Sequence, residues 1–234
     1  LGREEATGRG VVYVSIEALQ HLKLDIRNST VAIQGFGNVG FHTARIMQEY
    51  GARVIAVSDV NGGIHNSNGL DISELFTRYK TGGQSLRDTR LGEWLSNDEL
   101  LQLDCTVLVP AALSEQITER NAAKLRCRIL AEGANGPTTL EADRILQDHG
   151  VFIIPDILAN SGGVIVSYFE WVQDLQRFFW KATDIQARLQ DILTSAFHRT
   201  LQFSVSKNTS MRMAALMSGI DKVAQAHLQR GLYP

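Results

Sequence analysis

Three glycines are spaced so that the backbone could wrap a phosphate group. Gly35, Gly37 and Gly40 form a Gly-x-Gly-x-x-Gly pattern that follows an apolar β-branched run and precedes a helical pattern. The first glycine can make a tight turn, the second lets the backbone approach a pyrophosphate, and the third allows close packing of helix and strand. Free N–H groups at the start of that helix would face the phosphates. The pattern predicts a dinucleotide site with contacts from Gly35, Phe36, Gly37, Asn38 and Val39.

An acidic residue stands where the ribose of a dinucleotide would lie. Asp59 ends the next predicted strand, at the sequence distance from the glycines where a carboxylate accepts from the ribose 2′-hydroxyl. Its charge would repel the 2′-phosphate of NADP, and Val60 offers that phosphate no hydrogen bond. NAD is therefore the predicted cofactor, with NADP possible. Asp59 and Asn61 also suit an ordinary turn, so a purely structural role for Asp59 stays open.

The elements that must position these residues alternate in type from about residue 10 to residue 155. Apolar residues at helical spacing predict helices at 10–22 and 39–50, and a shorter helix is predicted from a cap at Asp71 to Gly82 and Gly83. Short β-branched runs predict five strands, at residues 30–34, 53–58, 106–109, 128–131 and 151–154. The alternation predicts an α/β fold with a doubly wound, mostly parallel, Rossmann-like sheet.

The last part of the chain has a different pattern. From about Gly163 the strand signals end, and helices are predicted at 171–180, 185–203 and 211–228. We therefore expect a Rossmann domain over residues 1–170 with a C-terminal helical extension over 171–234, or one domain over 1–234. The aromatic run in this part is expected to pack helices together, with some of its members exposed: Phe169, Trp171, Phe178, Phe179 and Trp180.

Composition limits the classes of partner. The net charge is -2, with both signs mixed along the chain, which gives neither a basic field for nucleic acid nor a charged block for a membrane surface. No signal-peptide pattern or bilayer-spanning run is seen, so we expect a cytoplasmic protein with a small-molecule partner. Cys105 and Cys127 lie beside buried-strand patterns and are expected to be buried free thiols. No metal-ligand spacing is present, so no metal is expected.

Several motifs, taken in order and spacing, resemble those of the glutamate dehydrogenase family. Besides the glycine pattern they are REEATG at 3–8, PAA at 110–112, EGANGP at 132–137, PDILANSGGV at 155–164 and SYFEW at 167–171. The resemblance covers essentially the whole chain and extends to the wider amino-acid dehydrogenase superfamily. The last motif is more similar to the glutamate branch than to the leucine and phenylalanine dehydrogenases.

The resemblance implies further cofactor contacts. Asn135 and Asn160 would bind the nicotinamide carboxamide or ribose, because an amide can both donate and accept. Thr7 would add a hydroxyl to the same carboxamide. Ala111 and its neighbour Ala112 would line the adenosine and ribose side, where a larger side chain would crowd the ligand.

The resemblance also implies substrate contacts. Ser167 would hydrogen-bond the side-chain carboxylate of glutamate, and Val164 would pack against its methylenes. Plainer roles stay open: Ser167 could bond back within its helix, and Asn135 could be a turn residue beside Gly136.

The implied reaction is the NAD(P)-dependent oxidative deamination of L-glutamate to 2-oxoglutarate and ammonia. In the family, a lysine and an aspartate of an N-terminal domain transfer the protons. None of the lysines here lies in the glycine-rich setting of that lysine, so we expect no catalytic residue in this chain and no turnover by it alone. The full enzyme is expected to be a homo-oligomer, and this segment a monomer or weak dimer. Two alternatives stay open: a non-catalytic dinucleotide-binding module, and the same domain of a leucine, phenylalanine or valine dehydrogenase.

Overall fold

The structure is a computed structural model that describes residues 2–231. The outer ends of the predicted domains, residue 1 and residues 232–234, lie outside that range. In chain order the elements are α1 (Arg3–His21), β1 (Thr30–Gln34), α2 (Asn38–Glu49), β2 (Arg53–Asp59), β3 (Gly62–His65), α3 (Ile72–Phe76), β4 (Glu93–Leu95), α4 (Asn97–Leu101), β5 (Val107–Pro110), β6 (Ile129–Ala131), α5 (Leu140–Asp148), β7 (Phe152–Ile154), α6 (Asp156–Ala159), α7 (Gly162–Gln176), α8 (Ala182–Lys207) and α9 (Met211–Arg230).

The strands form one sheet in the order β4-β3-β2-β1-β5-β6-β7. Strands β2, β1, β5, β6 and β7 run parallel, and β3 is antiparallel to both of its neighbours. From β1 the chain builds one half of the sheet and then returns to β5 on the other side of β1. Open α/β sheets bind ligands at such a reversal, beyond the carboxyl ends of the strands. A ligand site is therefore expected at the carboxyl ends of β1 and β5.

Two hydrophobic cores cover the two faces of the sheet. Side chains alternate along each strand, so Val31 and Ile33 face a core shared with α1, α2, α7 and α8, while Ala32 faces a core shared with α4 and α5. The predicted doubly wound α/β fold is confirmed. The boundary predicted at residue 170 lies within α7, and the division of the chain into two domains stays a prediction.

The five predicted strands are present as β1, β2, β5, β6 and β7, each within one residue of the expected bounds. Strands β3 and β4 were not predicted, because both are short and lack a β-branched run; β3 begins with Gly62 and Gly63, which are typical of turns. Gly62 lies in β3 with φ 134°, and a Cβ there would come within 2.5 Å of the Trp94 ring on β4. This cross-strand crowding favours glycine, but it depends on tertiary contacts that a local pattern does not show.

Two helices begin well before the predicted residue. Helix α1 begins at Arg3 rather than at residue 10, since packing against α2, α7 and α8 outweighs the low helix propensity of its glycines. Helix α7 begins at Gly162 rather than at residue 171. A Cβ on Gly162 would lie 2.1 Å from the Ala6 carbonyl oxygen, so the start of α7 packs closely against α1. Helix α7 ends at Gln176, and Arg177 after it is left-handed with φ 52°.

The aromatic run is only partly buried. Phe169 is buried and packs against Trp180 with ring centroids 5.5 Å apart, as expected. Trp171, Phe178 and Phe179 are exposed, so they belong to the part of the run that was expected to be exposed and do not pack helices together within the described residues. They lie along or just after α7, on a surface that no other described element covers.

Cys105 and Cys127 are buried free thiols, as predicted. Burial raises the pKa of both, that of Cys127 to about 12, so neither is a reactive thiolate near neutral pH.

No helix within residues 2–231 combines the length and the apolar character needed to cross a membrane.

Candidate functional site

The glycine pattern forms a tight turn between β1 and α2. Gly35 follows β1 with φ 94°, a conformation that glycine adopts without steric cost. A Cβ on Gly40 would lie 1.8 Å from the Gly35 carbonyl oxygen, whereas one on Gly37 would meet nothing within 4 Å. Gly40 is therefore needed for packing within the protein, and Gly37 keeps open a space on the outside of the turn.

The start of α2 faces that open space. Gly37 is its N-cap and supplies no side-chain hydrogen bond, and the first N–H groups of any helix have no partner within it. The Asn38 side chain points toward α1 instead, where its Nδ2 donates to the Glu4 carbonyl oxygen at 2.6 Å. These N–H groups can therefore receive an anion such as a phosphate.

A series of hydrogen bonds joins the glycine turn to the neighbouring strand, β2. The Gly35 N–H donates to Ser58 Oγ at 3.3 Å, and the Ser58 hydroxyl donates to Asn97 Oδ1 at 2.7 Å. Asn97 Nδ2 in turn donates to the Asp59 carbonyl oxygen at 2.9 Å. The position of Asp59 relative to the glycine turn is thus set by hydrogen bonds.

One cleft opens beside Asp59 and has a volume of about 510 Å³. Asp59 is half-buried, and its Oδ1 accepts from the Asn61 N–H at 2.7 Å, so it also stabilises a turn. Burial, and then the nearby Asp59 carboxylate, raise the pKa of Tyr79 above its ordinary value. We call this the Asp59 cleft, lined by Gln34, Gly35, Phe36, Gly37, Asp59, Val60, Tyr79, Lys80, Asn97, Ala111, Ala112, Leu113 and Gln116.

Phe36 is placed differently from its neighbours in the motif. Its side chain is buried and packs edge-on against Phe41, with ring centroids 5.9 Å apart. Any ligand contact by Phe36 would therefore come mainly from its backbone.

A second, larger cleft of about 880 Å³ lies at the ends of β5, β6 and β7. Asn160 Nδ2 donates to Asn135 Oδ1 at 2.6 Å across it, and Thr7 reaches it from α1. We call this the Asn160 cleft, lined by Thr7, Val39, Ala111, Ala112, Leu113, Ser114, Gly133, Ala134, Asn135, Ile157, Asn160, Ser161, Gly163 and Val164. None of these lining residues is ionisable.

The two clefts adjoin, because Ala111, Ala112 and Leu113 line both. Every predicted cofactor or substrate residue except Asn38 and Ser167 lines one or both of them. Together they form a groove across the carboxyl end of the sheet, past the glycine turn, with Asp59 at one end and the amides of Asn135 and Asn160 at the other. Such a groove suits an elongated ligand that has a negatively charged middle.

The two predicted substrate residues lie on the same side of α7. Val164 is exposed and lines the Asn160 cleft. The Ser167 hydroxyl donates to the Gly163 carbonyl oxygen at 3.0 Å, which is the plainer role left open for it. In this rotamer its proton is used within the helix, so Ser167 would have to rotate to donate to a carboxylate.

An ion cluster behind the Asn160 cleft was missed by sequence reasoning. Arg212 on α9 contacts the carboxylates of Glu132, Asp143 and Asp156. Burial alone would lower the pKa of Arg212, but Glu132 and Asp143 raise it above its ordinary value. The residues are 56 to 80 positions away from Arg212 along the chain, so no local pattern pairs them.

Tyr79 and Lys80 were also missed. They lie in a π-helical turn, Thr77–Thr81, that continues α3, and only the tertiary fold brings them beside Asp59. The segment reads as the end of a helix in sequence and carries no motif.

A family model described as Glutamate/Leucine/Phenylalanine/Valine dehydrogenase matches residues 1–231. The chain belongs to this dehydrogenase family. The resemblance found in its sequence motifs is thereby confirmed.

Relatives and solved structures of the dehydrogenase family match the whole chain. The chain is 49% identical over 234 residues to a glutamate dehydrogenase of Thermotoga maritima, and 43% identical over 230 residues to a catabolic NAD-specific glutamate dehydrogenase of Bacillus subtilis. Its fold is similar to a hetero-hexameric glutamate dehydrogenase from Thermus thermophilus, with a TM-score of 0.92, 31% identity and 99% of this chain covered. It is also similar to a Plasmodium falciparum glutamate dehydrogenase, with a TM-score of 0.91, 25% identity and 99% coverage.

The chain spans about half the length of these family members. It covers 56% of the Thermotoga maritima protein, 54% of the Bacillus subtilis protein, and 54% and 52% of the two structures.

Proposed function

We propose that this chain binds NAD along the two adjoining clefts and forms the cofactor-binding part of a glutamate dehydrogenase. The observation that carries the proposal is the glycine turn between the clefts, at the reversal of strand order. Adenosine would occupy the Asp59 cleft and nicotinamide the Asn160 cleft. The pyrophosphate would lie between them, at Gly37 and the start of α2.

The residues in each cleft fit the part of NAD proposed for it. The Asp59 carboxylate can accept from a ribose hydroxyl. The open space beside Gly37 allows phosphate oxygens to approach the backbone. Asn135 and Asn160 can together donate to and accept from the carboxamide of nicotinamide.

The preference for NAD over NADP is proposed from Asp59, although one feature opposes it. Lys80 lines the same cleft, and its ammonium could attract a 2′-phosphate. Asp59 is the last residue of β2, and its carbonyl oxygen accepts from Asn97 Nδ2, whereas the Lys80 side chain is long and flexible. Catabolic relatives from Bacillus subtilis are described as NAD-specific, which supports NAD.

Replacing Asp59 by serine should narrow or reverse the preference for NADH over NADPH, because it removes the charge that repels the 2′-phosphate. Calorimetric titration of both dinucleotides at fixed salt measures the ratio, which we expect to fall about tenfold. Asp25→Ser is the matched control: Asp25 also accepts from the N–H two residues later, but it precedes β1 at the other end of the sheet. An unchanged ratio in Asp59→Ser would mean that Asp59 only stabilises a turn.

The reaction proposed for the whole enzyme is oxidative deamination of L-glutamate to 2-oxoglutarate and ammonia. When bound, NAD supplies the acceptor for the hydride from the α-carbon. The residues described here would bind and orient the nicotinamide and exclude water from one of its faces. No residue lining the Asn160 cleft is ionisable, so we propose that the proton-transfer groups come from another part of the enzyme.

A substrate with an apolar side chain is the second candidate. Leu113, Ile157 and Val164 line the Asn160 cleft, and the Ser167 proton is used within α7. This arrangement would suit leucine or valine as well as glutamate. Glutamate remains the proposal because Ser167 can present its proton to a carboxylate after one rotation about χ1, and an apolar substrate would gain nothing from a serine there.

Exposed apolar faces fit a larger enzyme. Trp171 and Leu175 on α7, and Ile220 and Val223 on α9, are exposed, and patches of this kind mark contact surfaces. We propose that they pack against the remaining half of the enzyme, and that the whole enzyme is an oligomer. Its Thermus thermophilus relative is described as hetero-hexameric.

A further inference from the structure

Arg212 holds together three segments that are far apart in sequence. It is the second residue of α9 and lines neither cleft. Its Nη2 donates to Glu132 Oε1 at 2.6 Å and its Nε donates to Asp143 Oδ1 at 2.9 Å. Its Nη1 lies 3.5 Å from Asp156 Oδ1. One guanidinium thus bridges acids from the end of β6, from α5 and from the start of α6.

Two of these acids fix the loops of the Asn160 cleft. Glu132 is fully buried, and its Oε2 accepts from the Asp156 N–H at 2.8 Å. Asp156 Oδ2 accepts from the Gly136 N–H, also at 2.8 Å. The loop after β6 and the segment after β7 are therefore joined to each other, and both are joined to Arg212.

These two segments carry the amides that face the cleft. Asn135 lies on the first and Asn160 on the second, and Asn160 Nδ2 donates to Asn135 Oδ1 at 2.6 Å. The relative position of the two amides depends on the relative position of the segments. A change of an ångström or so there would misplace one amide with respect to a shared ligand.

We propose that Arg212 is a positioning residue for the nicotinamide half of the dinucleotide site, acting through Glu132 and Asp156 on Asn135 and Asn160. The inference rests on the proposed function, which places nicotinamide in the Asn160 cleft. It assigns a ligand-binding role to a residue that cannot touch the ligand.

Removing the guanidinium should disturb the loops more than losing one hydrogen bond would. Three carboxylates converge on a single positive charge, and Glu132 is fully buried. Without that charge they repel one another in a poorly solvated place, and an uncompensated buried charge is strongly unfavourable. The acids would move apart, and this movement loosens the segments that carry Asn135 and Asn160.

The test compares NADH with ADP-ribose, which lacks the nicotinamide. Both are titrated calorimetrically into the purified 234-residue chain and into its Arg212→Met and Arg212→Lys variants, with circular dichroism to verify folding. Arg45→Met is the matched control, because Arg45 also bridges two carboxylates, those of Glu5 and Glu49, and lines neither cleft.

Arg212→Met should lower the affinity for NADH roughly tenfold, because two amides are misplaced, and should change the affinity for ADP-ribose by less than about twofold. The affinity of Arg212→Lys for NADH should lie between those of Arg212→Met and the unaltered chain, since an ammonium lacks the planar fork with which a guanidinium bridges several acids. Arg45→Met should change the affinity for neither ligand. A folded Arg212→Met that weakens both ligands equally, or neither, would overturn the proposal, because a merely structural role predicts no selectivity.

If Arg212→Met does not fold, Asp156→Ala carries the test. It breaks the contact with Gly136 at a half-buried position, and the same selective loss of NADH is expected. Equal affinities in this variant and the unaltered chain would overturn the proposal. An unaltered, folded chain that binds neither ligand would instead contradict the proposed function itself.

Discussion

Gly40→Ala is expected to destabilise the fold by roughly 3 kcal/mol or more, near the upper end of what overpacking costs. A Cβ at this position would lie 1.8 Å from the Gly35 carbonyl oxygen. The oxygen is a backbone atom and the Cβ is bonded directly to the backbone of α2, so neither can move away without moving the backbone. Helix α2 would have to shift away from β1, which would open the core beneath it. Urea unfolding followed by circular dichroism measures the change in unfolding free energy.

Gly219→Ala is the control for this change. Gly219 lies within α9, and a Cβ there would meet nothing within 4 Å. Alanine should be neutral there or stabilise the chain by about 0.5–1 kcal/mol, because glycine is unfavourable inside a helix. A Gly40→Ala variant as stable as the unaltered chain would show that helix and strand are not packed as closely as described.

Gly37→Ala is expected to separate binding from stability. The backbone of Gly37 has φ −76°, which alanine adopts without strain, and a Cβ there meets nothing within 4 Å. Unfolding free energy should therefore stay within about 0.5 kcal/mol of the unaltered chain. In the proposed complex the added methyl would project toward the pyrophosphate, so NADH affinity should fall at least about tenfold.

Urea unfolding and NADH calorimetry on the same preparation test both parts. Gly219→Ala again serves as the control, with unchanged NADH affinity. Unchanged affinity in Gly37→Ala would place the pyrophosphate elsewhere, and loss of stability would mean that the turn is more crowded than its open side indicates.

The parts predicted from sequence are those that short segments determine. The glycine pattern, the strand before it and the helix after it all lie within residues 30–49, and β-branched runs mark the parallel strands. Because the carboxyl ends of parallel strands meet at one edge, the residues that follow them also meet. That is why residues as distant as Asp59, Ala111 and Asn160 line one groove.

The parts missed depend on contacts between distant residues. Gly62 and Gly63 resemble turn residues, and only the crowding by Trp94 and by the Val57 carbonyl explains them as strand residues. The carboxylates around Arg212 are brought together by the way α9 packs behind the sheet. The side-chain rotamer of Ser167 is set by its helix, and no motif encodes it.

Titration of NADH into the purified 234-residue chain tests most directly whether this chain alone carries a dinucleotide site. We predict saturable binding at a single site, stronger for NADH than for NADPH at the same salt concentration. A chain that is folded by circular dichroism yet gives no saturable heat with either dinucleotide would contradict the account, because its two clefts and the glycine turn between them would then hold neither cofactor.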